Sequence, residues 1–479
     1  MKVRTRFSPS PTGSIHIGGV YSAMLDYAFA KKHQGKFIIR IEDTDQKRFV
    51  KGAEEKIYTG LNWFGFKADE SPQVGGPFSP YRQSERLPLY QKYAQKLVDE
   101  GKAYYCFCSA ERLEENRKQK QKEGKSPMYD RHCLGLEKKE IKSRLEKGES
   151  FVLRLKVPEG KTIEVEDLIR GVINFDSRGI DDQVLLKSDG FPTYHLAAVV
   201  DDHLMEISHV IRGEEWLSSA PKHVLLYQYL NWKPPLFLHT PTIRDEKKRK
   251  LSKREGSASL EFFKTEGYLP EALLNFLCLL GWSHPEEKEI FDFTEFIKVL
   301  DLKDVSPVGP IFDLKKLDWL NGVYLRQLAD KDLANRLIEF APKGMSKSLI
   351  LETVPLIKER ISKLSDYSAL VDFLAEEVKP DEKLLLQKGG KNEKLIELQL
   401  TKVLEKLEKL DQWSSPVLEK TFRQLAESND WPIGKFFMMI RIAVTGKLIT
   451  PPLFESLGLL GKKKTCQRLS QTLKMFKGK

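Results

Sequence analysis

The chain has 479 residues, of which 41% are hydrophobic and 10% aromatic; this excludes disorder throughout and predicts about three domains of roughly 100–200 residues. Its 79 Lys and Arg residues exceed its 68 Asp and Glu residues, which favours a polyanionic partner such as nucleic acid. No apolar run reaches the roughly 20 residues of a membrane helix, and the start lacks a secretory signal, so we expect a soluble, cytoplasmic protein with no membrane partner.

The first forty residues predict a strand, a loop, a helix and a second strand. Val3–Phe7 is a short extended run, and the two prolines and the glycine within 8–13 exclude regular structure there. Apolar residues at helical spacing predict a helix over about 18–33, which Gly35 is placed to end. Lys36–Ile41 is then the next strand. Such a βαβ opening puts its first loop where open parallel sheets bind ligands.

The next part of the chain changes character, which predicts an insertion over 82–193. It contains a helical stretch at Glu111–Lys125 and strands such as Phe151–Val157. The run Leu196–Val200 is strand-like, and Ser218–Leu230 is helical, so both are expected to resume the first domain.

Beyond Thr240 the sequence predicts a basic loop and then helices. From Leu328 onward the pattern is almost all helix, with leucines such as Leu395, Leu398, Leu404 and Leu407 separated by lysine and glutamate. We therefore expect an amphipathic, all-α region at the end of the chain.

Two short motifs suggest phosphate chemistry. His16 and Gly18 lie between the first strand and the helix, where a helix amino end and a histidine can face phosphate oxygens; the alternative is an ordinary turn with a surface imidazole. Lys250 and Lys253 lie in a Lys-Leu-Ser-Lys-Arg segment that suits a loop closing over a triphosphate, and its alternative is a solvated basic loop.

Taken together, the two motifs resemble the HIGH and KMSKS elements of class I aminoacyl-tRNA synthetases. Further segments look like those of glutamyl-tRNA synthetase, and the resemblance is dense to about Gly322 and collinear to the end of the chain. These segments are 4–13, 40–45, 80–86, 185–195, 199–203, 210–216 and 267–275.

The resemblance implies an enzyme that joins L-glutamate to the 3′ end of tRNA(Glu) through a glutamyl-adenylate, with ATP and Mg²⁺, in protein synthesis. It implies an α/β Rossmann-type catalytic domain split between 1–81 and 194–240, with an inserted α/β acceptor-stem domain over 82–193. A stem-contact region over 241–327 carries the Lys-Leu-Ser-Lys-Arg loop, and 328–479 forms an α-helical anticodon-binding region. Members of the family are typically monomers.

The resemblance also assigns roles to single residues. His16, Lys250 and Lys253 take the catalytic positions, and the ATP-binding positions are these three with Gly18, Glu215 and Trp216. The glutamate-binding positions are Arg6, Ser8, Glu42, Tyr194 and Arg212. Arg212 is expected to read the side-chain carboxylate, and Glu42 the ammonium. Without the family match, a structural salt bridge is the simpler interpretation of the charged residues among them.

Three cysteines suggest a metal site in the insertion. Cys106, Cys108 and Cys133 supply three of the four thiolate or imidazole ligands of a tetrahedral zinc site, as in some members of the family. The fourth ligand is then Tyr129 or His132. The alternative is three reduced thiols in a small core, since other members have no metal.

Arg360 matches a position where discriminating relatives read the third anticodon base, so tRNA(Gln) would be refused.

Glutaminyl-tRNA synthetase is a competing interpretation, disfavoured by Arg212 and by the helical tail. A non-catalytic RNA-binding paralogue is a second competing interpretation. It is disfavoured because His16, Lys250 and Lys253 are all present.

Overall fold

The computed structural model describes residues 2–251, 258–390 and 392–477, so the predicted catalytic Lys253 lies outside the described residues. It contains two compact units. Unit 1 comprises Met1–Phe262 and Leu273–Asp313, and unit 2 comprises Phe263–Ala272 and Leu314–Lys479. In the described ranges, every helix is too short or too polar to cross a bilayer.

The strands and α-helices are numbered in chain order. The strands of the described residues are β1 Arg4–Phe7, β2 Lys36–Ile39, β3 Ala103–Cys106, β4 Val152–Leu155, β5 Thr162–Asp167, β6 Gly171–Asp176, β7 Val184–Leu186, β8 His209–Gly213 and β9 Leu236–Thr240. The helices are α1 Ile17–Lys32, α2 Ala53–Trp63, α3 Leu87–Asp99, α4 Ala110–Lys122, α5 Lys138–Glu146, α6 Tyr194–Leu204, α7 Ala220–Tyr229, α8 Leu260–Thr265, α9 Pro270–Cys278, α10 Phe293–Val299, α11 Leu314–Gln327, α12 Asp330–Leu337, α13 Lys347–Ile357, α14 Asp366–Ala375, α15 Glu382–Leu384, α16 Glu393–Glu408, α17 Ser415–Glu427, α18 Ile433–Thr445, α19 Leu453–Leu460 and α20 Lys462–Phe476.

The predicted βαβ opening is confirmed. β1 and β2 are parallel, with Arg4 opposite Lys36, and α1 connects them. The chain turns tightly between α1 and β2, where a Cβ atom at Gly35 would collide with the carbonyl oxygen of Val3. On the other side of β1, the backbone N–H of Ser208, just before β8, donates to the carbonyl of Arg4 at 2.9 Å. β1 therefore pairs with β2 and also contacts the residue before β8. The carboxyl ends of parallel strands are where α/β sheets bind ligands.

The predicted strand at Leu196–Val200 is wrong. These residues form the middle of α6, and all five side chains are buried. A short apolar run is equally compatible with a buried strand and with a helix packed on all sides, so periodicity could not separate the two. The helix predicted at Ser218–Leu230 is confirmed by α7.

Two sheets contain strands from the segment 82–193. β3, β4 and β7 form a small sheet with antiparallel neighbours. The β5–β6 hairpin instead extends the sheet of β8 and β9, in the order β6-β5-β9-β8, with Asp167 opposite Phe237. The last residue of β5 is thereby brought next to β9, which in turn pairs with β8.

Unit 2 is helical, as predicted, and the described residues from 328 onward contain no strand. Its apolar core includes Ile396, Leu400, Val403 and Leu407 of α16. These positions recur every three or four residues and form one buried stripe. Leu398, one of the leucines that suggested the helix, lies off this stripe and is 46% exposed.

Candidate active site

A cavity of about 1230 Å³ opens at the carboxyl ends of β1, β2 and β8. It brings together all the residues predicted to bind ATP or glutamate that the structure describes. The lining includes Arg6, Ser8, His16, Gly18, Glu42, Tyr194, Arg212, Glu215, Trp216 and Lys250. Residues that are more than 200 positions apart in sequence therefore line one cavity, which is what a site for both predicted substrates, ATP and glutamate, requires.

His16 forms the N-cap of α1. Its Nδ1 accepts the backbone N–H of Gly18 at 3.1 Å, which places the proton of the neutral ring on Nε2. The side chain thus caps one of the otherwise unsatisfied N–H groups at the helix amino end. At the same time it holds a ring donor beside the positive end of the helix dipole, an arrangement suited to phosphate oxygens.

Arg212, at the carboxyl end of β8, is buried and surrounded by neutral groups. Its Nη1 donates to the Tyr194 hydroxyl at 3.0 Å and to His223 Nδ1 at 3.1 Å, and its Nε donates to His239 Nε2 at 3.1 Å. Within the described part of the chain it forms no ion pair with an Asp or Glu. A buried guanidinium without a carboxylate partner is costly, and a ligand carboxylate in the cavity would neutralise it.

Arg6 and Glu42 belong to a buried network of alternating charges. Arg40, which is fully buried, donates to Glu42 at 2.9 Å and to Asp202 at 2.7 Å, and Asp202 also accepts from Arg6 at 3.1 Å. Arg6 therefore has the structural salt bridge that the sequence left open, and it still lines the cavity.

The pKa values within this network reflect the balance of burial and charge. Burial raises the pKa of Glu42, and the attraction of Arg40 opposes that rise. Burial acts in the same direction on Asp202, but Arg40 and Arg6 outweigh it, so the pKa of Asp202 is lowered. An incoming ammonium group beside Glu42 would lower the pKa of that carboxyl and favour its charged form.

Aromatic and further polar groups also line the cavity. The rings of Tyr194 and Trp216 lie 4.2 Å apart, centroid to centroid, and Trp216 is partly exposed. Lys250 Nζ is 3.9 Å from a Glu215 carboxylate oxygen. The Ser8 hydroxyl is buried and has no hydrogen-bond partner among the described residues, so it retains the capacity to bind a ligand group after a rotamer change.

Sequence reasoning assigned no role to several residues that support the site. Arg40 directly follows the strand β2, and Asp202 follows the apolar run of α6, so a charged residue next to a buried apolar run was the available signal. His223, His239 and Asp167 offered no such signal, because their positions around Arg212 depend on tertiary packing.

The three predicted zinc-ligand cysteines come together at the edge of the β3–β4–β7 sheet. The Sγ atoms of Cys106, Cys108 and Cys133 all lie within 4.8 Å of one another. The Tyr129 hydroxyl lies 3.3 Å from Cys106 Sγ and 3.4 Å from Cys108 Sγ. His132 is exposed and does not join the cluster. Sulfur atoms at tetrahedral positions about 2.3 Å from zinc would have similar separations, so the donor set fits the metal.

Arg360 lies in unit 2, just after α13, and is exposed. Burial lowers the pKa of Arg441, and the nearby positive charge of Arg360 lowers it further. The Nε of Arg441 is buried without a hydrogen-bond partner. Two neighbouring guanidinium groups that form no ion pair within the described residues favour an anionic or acceptor-rich ligand.

Comparison with protein families defines the class. Residues 2–319 match the model for the catalytic domain of class I tRNA synthetases (E and Q), and residues 332–473 match an anticodon binding domain. The chain therefore belongs to the class I tRNA synthetases of the glutamate and glutamine type.

Individual relatives narrow this assignment. The chain is 45% identical to a glutamate–tRNA ligase of Gloeobacter violaceus, over 97% of this chain and 94% of the relative. It is 44% identical to that of Thermus thermophilus, over 98% and 100%. A crystal structure of a glutamate tRNA ligase from Elizabethkingia meningosepticum in complex with its amino acid matches with a TM-score of 0.89, at 36% identity and 100% coverage of both chains. Within its class, the chain belongs to the glutamate–tRNA ligase family.

Proposed function

We propose that this chain ligates L-glutamate to the 3′ end of tRNA(Glu), using ATP and Mg²⁺, through a glutamyl-adenylate. The observation that carries the proposal is Arg212, a buried cation in the cavity without an acidic partner among the described residues. The family membership supports the same reaction. We further infer that the protein acts as a monomer in the cytoplasm.

The first step needs positioning and charge stabilisation more than proton transfer. The α-carboxylate of glutamate attacks the α-phosphorus of ATP, the bond to the β-phosphate oxygen breaks, and pyrophosphate leaves. In the second step the ribose hydroxyl of the tRNA terminus attacks the adenylate carbonyl and AMP leaves. His16 and the amino end of α1, with Lys250 and Lys253, would stabilise charge that develops on the phosphates. Gly18, Glu215 and Trp216 would bind the nucleotide.

The glutamate subsite would use the buried cation and the charge network. Arg212 and Tyr194 would bind the side-chain carboxylate, and Glu42 would bind the ammonium. Arg6 and Ser8 would complete the subsite from β1 and the loop after it. The neutral surroundings of Arg212 support this, because a ligand carboxylate gives that guanidinium its counter-charge.

Two further assignments concern tRNA and metal. Arg360, beside Arg441, would read an anticodon base and refuse tRNA(Gln). Cys106, Cys108, Cys133 and Tyr129 would hold a structural Zn²⁺ that stabilises the acceptor-stem insertion. The metal assignment is tested by elemental analysis of protein purified without chelator: about one zinc per chain is expected, and a content near zero would remove the site.

The test of the reaction is aminoacylation with labelled glutamate and, separately, glutamine, against tRNA(Glu) and tRNA(Gln). Glutamate on tRNA(Glu) alone is the expected result. Glutamate on both tRNAs would keep the enzyme and remove the discriminating role of Arg360. Binding of tRNA without any charging would replace the enzyme by an RNA-binding protein. Lys253→Ala serves as the inactive control, and we expect it to lower the rate by about 10²–10³-fold.

A further inference from the structure

Arg212 lines the cavity, and its guanidinium contacts two histidines that do not belong to the described lining. Arginine is a donor only, so His239 Nε2 and His223 Nδ1, each 3.1 Å from the guanidinium, must both accept. Each neutral ring then carries its proton on the other nitrogen. The directions of these hydrogen bonds follow from the chemistry of arginine alone.

Both of those protons have acceptors. His239 Nδ1–H donates to Asp167 Oδ2 at 2.7 Å, and His223 Nε2–H donates to His195 Nδ1 at 3.1 Å. Asp167 is itself fixed, since its Oδ1 accepts the backbone N–H groups of Ile169 and Arg170, each at 3.1 Å. The side chains of His239 and Asp167 are 0% exposed, so water cannot replace these partners.

We propose that Asp167, His239 and His223 are positioning residues that fix the guanidinium of Arg212 and thereby set the preference for glutamate over glutamine. This inference rests on the proposed function. Nε and Nη1 of Arg212 donate to the histidines and Tyr194, whereas within the described ranges Nη2 makes only a 3.5 Å contact with the carbonyl of Trp216. The group therefore presents N–H donors in one orientation. A carboxylate can accept from them, but the NH₂ of a glutamine amide cannot.

Substitutions at position 239 separate the two bonds of that ring. His239→Asn puts an amide near the position of Nδ1, which can still donate to Asp167 but leaves Arg212 without its acceptor. His239→Gln can place its carbonyl near the position of Nε2 and keep the bond to Arg212. We expect His239→Asn to raise the KM for glutamate about 10–100-fold and to lower the glutamate-to-glutamine ratio of kcat/KM, with the KM for ATP within about 3-fold. His239→Gln, which keeps the bond to Arg212 but loses the bond to Asp167, should raise the KM for glutamate less than His239→Asn does.

At position 223 we expect Asn to be milder than Gln, the reverse of position 239, because the ring atom that accepts from Arg212 is Nδ1. His223→Asn can keep a carbonyl near Nδ1 and should be mild, whereas His223→Gln should raise the KM for glutamate. A purely structural role would not produce opposite orders at the two positions. Equal effects of Asn and Gln at both positions, or a KM for ATP that rises as much as that for glutamate, would overturn the inference. Thermal unfolding of each variant shows which are folded, and the two positions provide independent pairs.

Arg212→Ala distinguishes this inference from the proposed function. If that variant leaves the KM for glutamate unchanged, the proposed glutamate subsite itself is wrong. If Arg212→Ala raises the KM but neither His239→Asn nor His223→Gln does, the subsite stands and the positioning role falls.

Discussion

The two units differ in what they bury. Among the described residues of unit 1, the interior contains many ionised side chains, including Arg6, Arg40, Asp201, Asp202 and Arg212. The described interior of unit 2 contains one, Arg468, whose guanidinium donates to the backbone carbonyls of Val444 and Glu376, each at 2.9 Å. The rest of that core is apolar or carries neutral polar groups.

This difference matches what each unit is proposed to bind. A small zwitterion such as glutamate must be enclosed, so the charges that recognise it are buried and need further charges to hold them. A long polyanion can be bound at a surface, where cations such as Arg360 stay hydrated and need no internal support. A buried network is therefore expected where the ligand is small and charged.

The largest effect is expected from removing a shared acceptor in unit 1. Asp202→Ala leaves the buried guanidinium groups of Arg40 and Arg6 without the carboxylate that bridges them. We expect a loss of about 3–5 kcal/mol in the free energy of unfolding, measured by urea denaturation. The control is Glu146→Ala, which removes an exposed partner of Lys142 and should leave the midpoint almost unchanged. A loss below about 1 kcal/mol for Asp202→Ala would contradict the bridging role.

The stability of unit 2 should depend on the volume of its buried apolar side chains and not on buried charges. Leu400→Ala in α16 creates a cavity in the apolar core and should cost about 2–5 kcal/mol of unfolding free energy. The KM values for glutamate and ATP should not change in protein that remains folded. Leu398→Ala, two residues away on the same helix and largely exposed, is the matched control. Equal losses for the two variants would mean that the buried stripe of α16 is assigned incorrectly.

The smallest effect is expected at the surface of unit 2. Arg360→Ala removes one proposed base contact. We expect the binding free energy of tRNA(Glu), derived from its KM, to weaken by about 1–3 kcal/mol, and the KM for glutamate to stay constant. Arg423→Ala is the control, because Arg423 is exposed and paired with Glu419 one helical turn away. If both variants weaken tRNA binding equally, the contribution of Arg360 is general electrostatics and not recognition of a base.

The sequence predicted the parts of this fold that depend on local patterns. The βαβ opening, α7 and the helical tail follow from periodicity and from glycine and proline positions. The proposed ligand residues come from motifs that resemble those of a known family, and the structure brings the described ones to one cavity. The apolar run in α6 was misassigned because complete burial removes the periodicity that distinguishes helix from strand. The support of Arg212 could not be predicted, because Asp167, His223 and His239 are separated in sequence. They meet only through the pairing of β5, β8 and β9 and through the position of α7, which contains His223.

The position of the β5–β6 hairpin has a consequence for protein engineering. Its last β5 residue, Asp167, contacts His239 of β9, although the hairpin lies within the stretch 82–193 that the sequence predicts to be an insertion. A chimaera that exchanged 82–193 for the corresponding stretch of another synthetase would also replace this contact. If Asp167 and the insertion act as proposed, we expect such a transplant to change amino acid selection together with tRNA docking, so the graft points should leave the hairpin with its host.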